Sequence, residues 1–139
     1  KLVRLLLLLV LWVGCQDRTE QNGQRLGYTV DDAKLKRAQA AYVCESRGVN
    51  YLRQSKSTKK VGYYARFDVI KTLKGEEGMT FLLHILRDRR GYPEGLEPQK
   101  KFIIYVYQGS VPAGPSWKGI LRSQQRIYTD SCCEIVWQP

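Results

Sequence analysis

The sequence has few of the residues on which most enzymes and metal sites depend. Only one histidine, His84, occurs among its 139 residues, and none of its four cysteines are spaced as Cys-x-x-Cys. A structural zinc site uses four Cys or His ligands in such spacings, so the pattern argues against one. A Gly-rich phosphate loop, a zinc-helix signature and a nucleophile elbow are also missing. We therefore predict that the protein is not an enzyme and has no metal or cofactor.

His84 falls within a predicted strand, on the same face as Thr80, Leu82 and Leu86. A catalytic histidine needs a nucleophile and an orienting partner, and no motif around His84 provides them. We interpret it as a strand side chain that is partly buried or at the surface.

Long apolar runs are missing too. The longest, Leu5–Val13, has nine residues. It would span about 13 Å as a helix, whereas the hydrocarbon core of a bilayer is about 30 Å thick. Two basic residues precede the run, and it stops at Gly14. A basic start, a short apolar centre and a small residue at the cut site are typical of an export signal, so we predict a signal peptide at residues 1–14.

The end of this segment resembles the lipobox of bacterial lipoproteins, in which a cysteine is acylated, for example with palmitate, and becomes the first mature residue. Val13 and Gly14 precede Cys15, although Trp12 stands where that motif usually has Leu. The resemblance implies an exported lipoprotein with its lipid on Cys15. The alternatives are an ordinary secretion signal and a buried apolar segment. Gln16 favours the outer membrane if the source is Gram-negative, because Asp at that position favours retention in the inner membrane.

Acidic residues are in the minority, 13 against 23 basic residues, and the net charge is +10. Such a surface favours anionic partners such as phospholipid headgroups, acidic polysaccharide or an acidic protein. An exported protein seldom meets nucleic acid. The expected partners are therefore the membrane, through the lipid anchor, and an envelope protein or an anionic glycan.

Organisation along the chain is simple. Residues 15–28 are mostly polar, and we predict a lipidated cysteine followed by a flexible tether there. Residues 29–139 are predicted to form one domain. Thr29 is expected to cap a helix over Val30–Gln39. The segment Gln54–Lys60 is rich in lysine and serine, which predicts a mobile turn at the end of a hairpin.

Alternating and β-prone runs then predict about five strands of antiparallel character. We place them at Ala41–Leu52 with a bulge at Gly48, Tyr63–Leu73, Met79–Leu86, Lys101–Tyr107 and Ile120–Tyr128, with Cys132–Trp137 closing the chain. Lys101–Tyr107 is apolar on both faces and is expected in the middle of the sheet. The expected fold is mainly β, a small, partly closed antiparallel barrel with one N-terminal helix.

Four stretches resemble bacterial netrin-like lipoproteins, which are related to the N-terminal domain of the tissue inhibitors of metalloproteinases. They are the helix-into-strand opening at Thr29–Val43, the F-x-V strand with its Lys-Gly turn at Phe67–Gly75, the loop Gly91-Tyr92-Pro93 and the strand Lys101–Tyr105. The resemblance covers most of the mature chain. It implies an OB-fold-like barrel in a secreted or anchored protein. Together with the absence of catalytic motifs, we predict a membrane-anchored binding or scaffolding module.

Two departures limit what the resemblance implies. Arg90 stands where such domains often have a cysteine that pairs with the late cysteine, here Cys132 or Cys133. Inhibition in the animal family needs a free N-terminal cysteine to chelate the protease's zinc, and an acylated Cys15 would not offer one. Metalloproteinase inhibition by a secreted form is therefore kept as the alternative function.

Three cysteines remain once Cys15 carries lipid, so at most one disulfide forms. The candidates are Cys44, Cys132 and Cys133. A bridge from Cys44 to one of the adjacent pair is preferred over redox chemistry at Cys132-Cys133, because redox motifs usually place their cysteines at a helix N-terminus.

Aromatic and basic residues alternate on the predicted strands, as on the ligand-binding faces of OB-type barrels. The candidates for ligand binding are Tyr63, Tyr64, Arg66, Tyr105 and Tyr107. The alternative is that most of them are core or edge-strand residues.

Overall fold

The computed structural model describes residues 27–54, 56–77, 80–88, 93–112, 114–122 and 125–139. The predicted export segment, the lipid site at Cys15 and most of the predicted tether lie outside these residues, as do Tyr92 and Met79. The chain divides into Val30–Gln138, a compact unit, and a second unit made of Lys1–Thr29 with Pro139. Everything below concerns the first unit.

Six strands form a single sheet in the order β5-β3-β2-β1-β4-β6. The elements are α1 (Asp32–Arg37), β1 (Ala40–Gln54), β2 (Val61–Lys74), β3 (Thr80–Arg87), β4 (Lys101–Val106), β5 (Arg126–Thr129) and β6 (Cys133–Gln138). Neighbouring strands are antiparallel except β3 and β5, which are parallel. The mainly β prediction is confirmed, and the prediction of a wholly antiparallel sheet is wrong at β5.

The sheet curls because of how its two outer strands are connected. β5 and β6 lie at opposite edges, yet only the 3₁₀ turn Asp130–Cys132 separates them in sequence. Five strand spacings would set the edges of a flat sheet about 24 Å apart. Four Cα–Cα steps reach about 15 Å. The sheet must therefore bend into a half-barrel at this corner.

The helix is shorter than predicted. It covers Asp32–Arg37, and Asp31 caps it in place of Thr29, because the Asp31 carboxylate accepts a hydrogen bond from the Lys34 N–H at 3.1 Å. The helix ends early because the chain is already joining the sheet. The N–H of Gln39 donates to the carbonyl of Val106 at 2.8 Å.

The fifth strand is also shorter than predicted, since it begins at Arg126 and not near Ile120. Residues just before it form the 3₁₀ turn Pro115–Trp117, and the N–H groups of Ile120 and Leu121 both donate to the Trp117 carbonyl. By contrast, the bulge predicted at Gly48 is confirmed, because the β1–β2 register shifts between Ser46 and Val49 and Gly48 has φ of +98°.

Two apolar clusters lie on the two faces of the sheet. The main core fills the inner face and is dominated by Tyr42, Phe67, Phe81, Leu83, Ile85, Phe102 and Ile104. A smaller cluster on the outer face joins Leu82, Trp117 and Ile127. β4 is buried at five of its six positions and lies between β1 and β6, as its two apolar faces predicted.

Candidate functional site: the mouth of the half-barrel

One end of the half-barrel gathers polar side chains from two strands and from segments next to strand ends. The start of β1, the end of β2, the end of β4 and the start of β5 meet there, as the strand directions require. They enclose a pocket of about 220 Å³, which we call the mouth pocket. Its polar side chains are Gln39, Tyr42, Glu76, Gln108, Ser110, Arg126 and Tyr128.

A chain of polar contacts runs across the mouth pocket. Arg126 forms an ion pair with Glu76, which follows β2. Arg126 and Tyr128 are two residues apart on β5 and so point to the same face. The hydroxyl of Tyr128 lies 3.4 Å from that of Tyr42 on β1. Guanidinium and phenol groups are thereby held in fixed relative positions.

Packed aromatic rings hold the two phenols. Phe81 lies 5.4 Å from the ring of Tyr42 and 5.4 Å from the ring of Tyr128, measured between centroids. Both tyrosines are almost fully buried, and both line the pocket. The floor of the pocket is therefore rigid and its polar groups are preorganised.

The protonation states favour hydrogen bonding over proton transfer. Burial, and then the hydrogen bond with Tyr128, raises the pKa of Tyr42 well above its usual range. The pKa of Arg126 is raised too, chiefly by its hydrogen bond with Tyr128. Near neutral pH the pocket therefore presents the neutral phenol of Tyr42 and the cation of Arg126, which suit the binding of a polar group.

A second pocket of about 240 Å³ lies at the other end of β4, beside the bulge. It is lined by Arg47 to Asn50 and by Pro93 and Leu96 to Pro98. Arg47 forms an ion pair with Asp68. A side chain at Gly48 would lie 3.2 Å from the Pro98 ring. The shape of this second pocket therefore reflects the packing of the bulge against the loop before β4.

The predicted ligand-binding residues do not come together. Tyr64 and Arg66 point to the outer face, where Tyr64 packs edge-on against Trp117 at 6.0 Å and Arg66 donates to the Ile120 carbonyl at 3.3 Å. Tyr63 faces inward and packs against the main core. These three side chains belong to the packing of two different faces.

Tyr105 and Tyr107 take part in holding the helix. The hydroxyl of Tyr105, whose side chain is buried, accepts a hydrogen bond from the Asp31 N–H at 2.9 Å. That of Tyr107 donates to Glu134 at 2.9 Å, and Glu134 pairs with Lys34 at 2.8 Å. Sequence reasoning missed the mouth residues Tyr42 and Glu76, because no local motif joins them to β5.

The three cysteines of the unit are thiols in the structure. Cys44 is opposite Phe102 on β4, whereas Cys133 is opposite Val106. Four residues along a strand separate these positions by roughly 13 Å, and a disulfide needs Cα atoms within about 7 Å. The preferred bridge from Cys44 to Cys133 therefore does not form, and no bridge to Cys132 is present either.

The environments of the thiols differ. Cys44 is fully buried, and burial raises its pKa well above the usual range. Burial also raises the pKa of Cys133, to about 12. Cys132 is partly exposed, and its thiol donates to the side-chain oxygen of Gln108 at 3.1 Å.

His84 packs edge-on against Trp117 at 5.4 Å on the outer face, and its side chain is partly buried, as predicted. Burial lowers its pKa, and the nearby Arg53 lowers it further against the opposing effect of Asp130. Within the described ranges, no three His, Cys, Asp or Glu side chains are grouped as a metal site would need.

Among the helices that the structure describes, none has the length and apolar character needed to cross a membrane. Comparisons with protein-family models, with curated proteins and with solved structures found no match to this chain.

Proposed function

We propose that this chain is a membrane-anchored envelope lipoprotein whose half-barrel is a non-catalytic binding or scaffolding module. The anchoring part rests on the sequence Lys1–Cys15, with the lipid on Cys15. The binding part rests on one observation, the mouth pocket. Its polar groups come from β1, from β5 and from residues next to the ends of β1, β2 and β4, and buried rings hold two of them, so a partner would meet a preformed site.

The finer fold assignment, an OB-fold-like barrel of the netrin-like kind, belongs to the same proposal. It is supported by the path of the chain, in which β1, β2 and β3 pair in succession and β4 returns to pair with β1. Such a return connection is of the Greek-key type, as in partly open barrels. The short helix before β1 also agrees with it.

The chemistry of the mouth suits an envelope protein or an anionic glycan as partner. The Glu76 carboxylate, whose side chain is 74% exposed, is the group that faces Arg126 from the solvent side. An incoming carboxylate could replace it on the guanidinium, while the amides of Gln39 and Gln108 offer further hydrogen bonds.

Metabolic labelling with a fatty-acid analogue tests the anchor, comparing the wild type with Cys15→Ala and measuring the intact mass of each. Label on the wild type and none on the variant is the expected result. An unlabelled protein cut near residue 15 would instead be secreted, and the metalloproteinase-inhibitor alternative would then be the one to pursue.

Site-specific photo-crosslinking in the cell tests the binding module. A crosslinker at Ser110, in the mouth pocket, is expected to capture a discrete envelope component, and the adduct should weaken with Arg126→Gln. The matched control is a crosslinker at Lys118, which is exposed outside that pocket. Equal adducts from both positions, or none from Ser110, would contradict a specific partner at the mouth.

A further inference from the structure

The connection between β1 and β2 is strongly basic. From Arg47 to Phe67 the sequence has six basic residues and no acidic residue. Four of them, Arg53, Lys56, Lys59 and Lys60, are exposed near the end of this hairpin. The ion pairs among the described residues use other cations, so none of the described carboxylates forms an ion pair with these four.

This end of the hairpin also exposes two large apolar side chains. Tyr51 is 62% exposed and Leu86, on the adjacent strand β3, is 45% exposed. Tyr51 packs edge-on against Tyr63 at 6.3 Å, and this contact fixes the direction of its ring. We call the set Tyr51, Arg53, Lys56, Lys59, Lys60 and Leu86 the hairpin tip.

The hairpin tip projects because the sheet narrows towards it. β4 pairs with β1 only as far as Glu45, and β5 pairs with β3 only as far as His84. Beyond those positions only β1, β2 and β3 continue. This three-stranded arm carries Tyr51 on one face and Leu86 on the other, since Tyr51 aligns with Tyr63 and Ile85 while Leu86 aligns with Gly62.

We propose that the hairpin tip binds the surface of a bilayer that contains anionic phospholipids. The four cations would lie at the phosphate groups, where each basic residue is expected to raise the partition coefficient about fivefold. The rings and methyl groups of Tyr51 and Leu86 would enter the interfacial layer, which favours amphipathic aromatic side chains. A soluble polyanion would satisfy the cations but would give these apolar groups nothing to contact.

The proposal goes beyond an anchor at Cys15 and does not depend on it. A lipid on the predicted tether would not by itself orient the barrel, whereas a second contact at the hairpin tip would orient it. The two contacts together would also hold the domain more firmly than either alone, because the second binding event is intramolecular. The mouth pocket lies at the opposite end of β1 from the hairpin tip and would then face away from the bilayer.

Vesicle co-sedimentation measures this binding without the anchor. The chain from Gln16 to Pro139 keeps the complete sheet and core of Val30–Gln138, and a cooperative thermal transition is required of every variant before use. Vesicles of phosphatidylcholine alone are compared with vesicles containing about 30% phosphatidylglycerol, at about 0.1 M and about 0.5 M NaCl. Binding only to the anionic vesicles, and loss of binding at the higher salt, is expected.

Two variants of the hairpin tip separate its charges from its apolar groups. Lys56→Gln/Lys59→Gln/Lys60→Gln is expected to lower the partition coefficient by about 100-fold. The matched control, Lys101→Gln/Lys118→Gln/Arg122→Gln, removes the same charge from exposed positions elsewhere and should lower it by less than about tenfold. Tyr51→Ser/Leu86→Ser should weaken binding at unchanged charge.

Several outcomes would overturn the proposal. One is absence of binding by the wild type, and another is an equal loss in the two triple variants, which would attribute the attraction to net charge alone. Equal binding of dextran sulfate, together with no effect of Tyr51→Ser/Leu86→Ser, would make the hairpin tip a site for soluble polyanions.

The full chain gives a second measurement when it is reconstituted in the same vesicles. Trypsin should cut after Lys56, Lys59 and Lys60 more slowly on anionic than on neutral vesicles. Cleavage after Lys118 or Arg122 is the internal reference, because both are exposed and neither belongs to the hairpin tip. Equal protection at tip and reference sites would contradict the proposal.

Discussion

The hydroxyl oxygens of Tyr42 and Tyr128 lie 3.4 Å apart, although 86 positions separate the two residues in the sequence. Tyr42 is on β1 and Tyr128 on β5, and two strands lie between them in the sheet. Their contact therefore crosses the inside of the curled sheet and does not follow a strand pair. It ties the mouth pocket to the closure of the fold.

Tyr42→Phe should lower the free energy of unfolding by about 1 kcal/mol, because it removes a buried hydroxyl and its hydrogen bond while it keeps the ring packing. Urea denaturation measures the change. Tyr51→Phe serves as the control. Because Tyr51 is 62% exposed, removing its hydroxyl should not measurably change the free energy of unfolding. Equal stability of Tyr42→Phe and the wild type would show that the hydroxyl contact contributes nothing.

Stability should fall at alkaline pH. Burial raises the pKa of Cys44 and of Tyr42 in the folded protein above their ordinary values of 9.0 and 10.0. A group whose pKa is raised in the folded protein contributes its full stabilisation below its ordinary pKa. This stabilisation declines as the pH rises above that ordinary pKa. Cys44 should cost up to about 1.4 kcal/mol per pH unit above pH 9, and Tyr42 should cost the same above pH 10.

Urea denaturation of the wild type and Cys44→Val between pH 7 and about pH 11 tests this expectation. In Cys44→Val the decline above pH 9 should be shallower by up to about 1.4 kcal/mol per pH unit, because Cys133 and Tyr42, whose pKa values burial also raises, still contribute. Identical pH profiles of the two proteins would contradict the assigned role of Cys44.

The thiols should react in a fixed order with a water-soluble maleimide. In the chain from Gln16 on, partly exposed Cys132 should react in the folded protein, while buried Cys44 should react only after unfolding. Cys132→Ser should remove the fast phase. Mass spectrometry without reductant identifies the labelled residues, and a requirement for reductant before Cys44 reacts in denaturant would reveal a disulfide that the structure lacks.

Phe67→Ala should destabilise the fold by about 3 to 5 kcal/mol, because a large cavity opens in the core. Phe67 has no exposed surface, stacks on Phe81 at 5.4 Å and meets Phe102 edge-on at 6.1 Å. Thermal and urea denaturation give the difference. Ile70→Ala on the same strand is the control, since Ile70 is half exposed and its truncation should lower the free energy of unfolding much less. A similar loss of stability in both variants would contradict the placement of Phe67 in the core.

Much of the strand content was predictable because burial follows the period of a strand. Ala65 and Phe67 alternate with half-exposed neighbours on β2, and the long apolar run of β4 matches a strand covered on both faces. The bulge followed from Gly48, since the left-handed backbone there favours glycine. These features depend on each residue and its nearest neighbours in sequence.

The ends of the helix and of β5 depended on contacts that no local pattern encodes. The hydrogen bond from Gln39 to Val106 draws the chain into the sheet before the predicted helix is complete. Ile120 and Leu121, the start of the predicted fifth strand, pack instead against the outer-face cluster of Leu82, Trp117 and Ile127. In both places a tertiary contact was stronger than the local preference.

The sequence by itself determined the approximate positions of β1 to β4 and the basic character of the β1–β2 hairpin. Tertiary structure decided the parallel pairing of β5, the distance between Cys44 and Cys133, and the mouth pocket. The physical reason is that side-chain burial repeats every second residue along a strand and can be read locally. The order in which strands pair depends instead on chain connections and on contacts such as that between Tyr42 and Tyr128, which exist only once the sheet has curled.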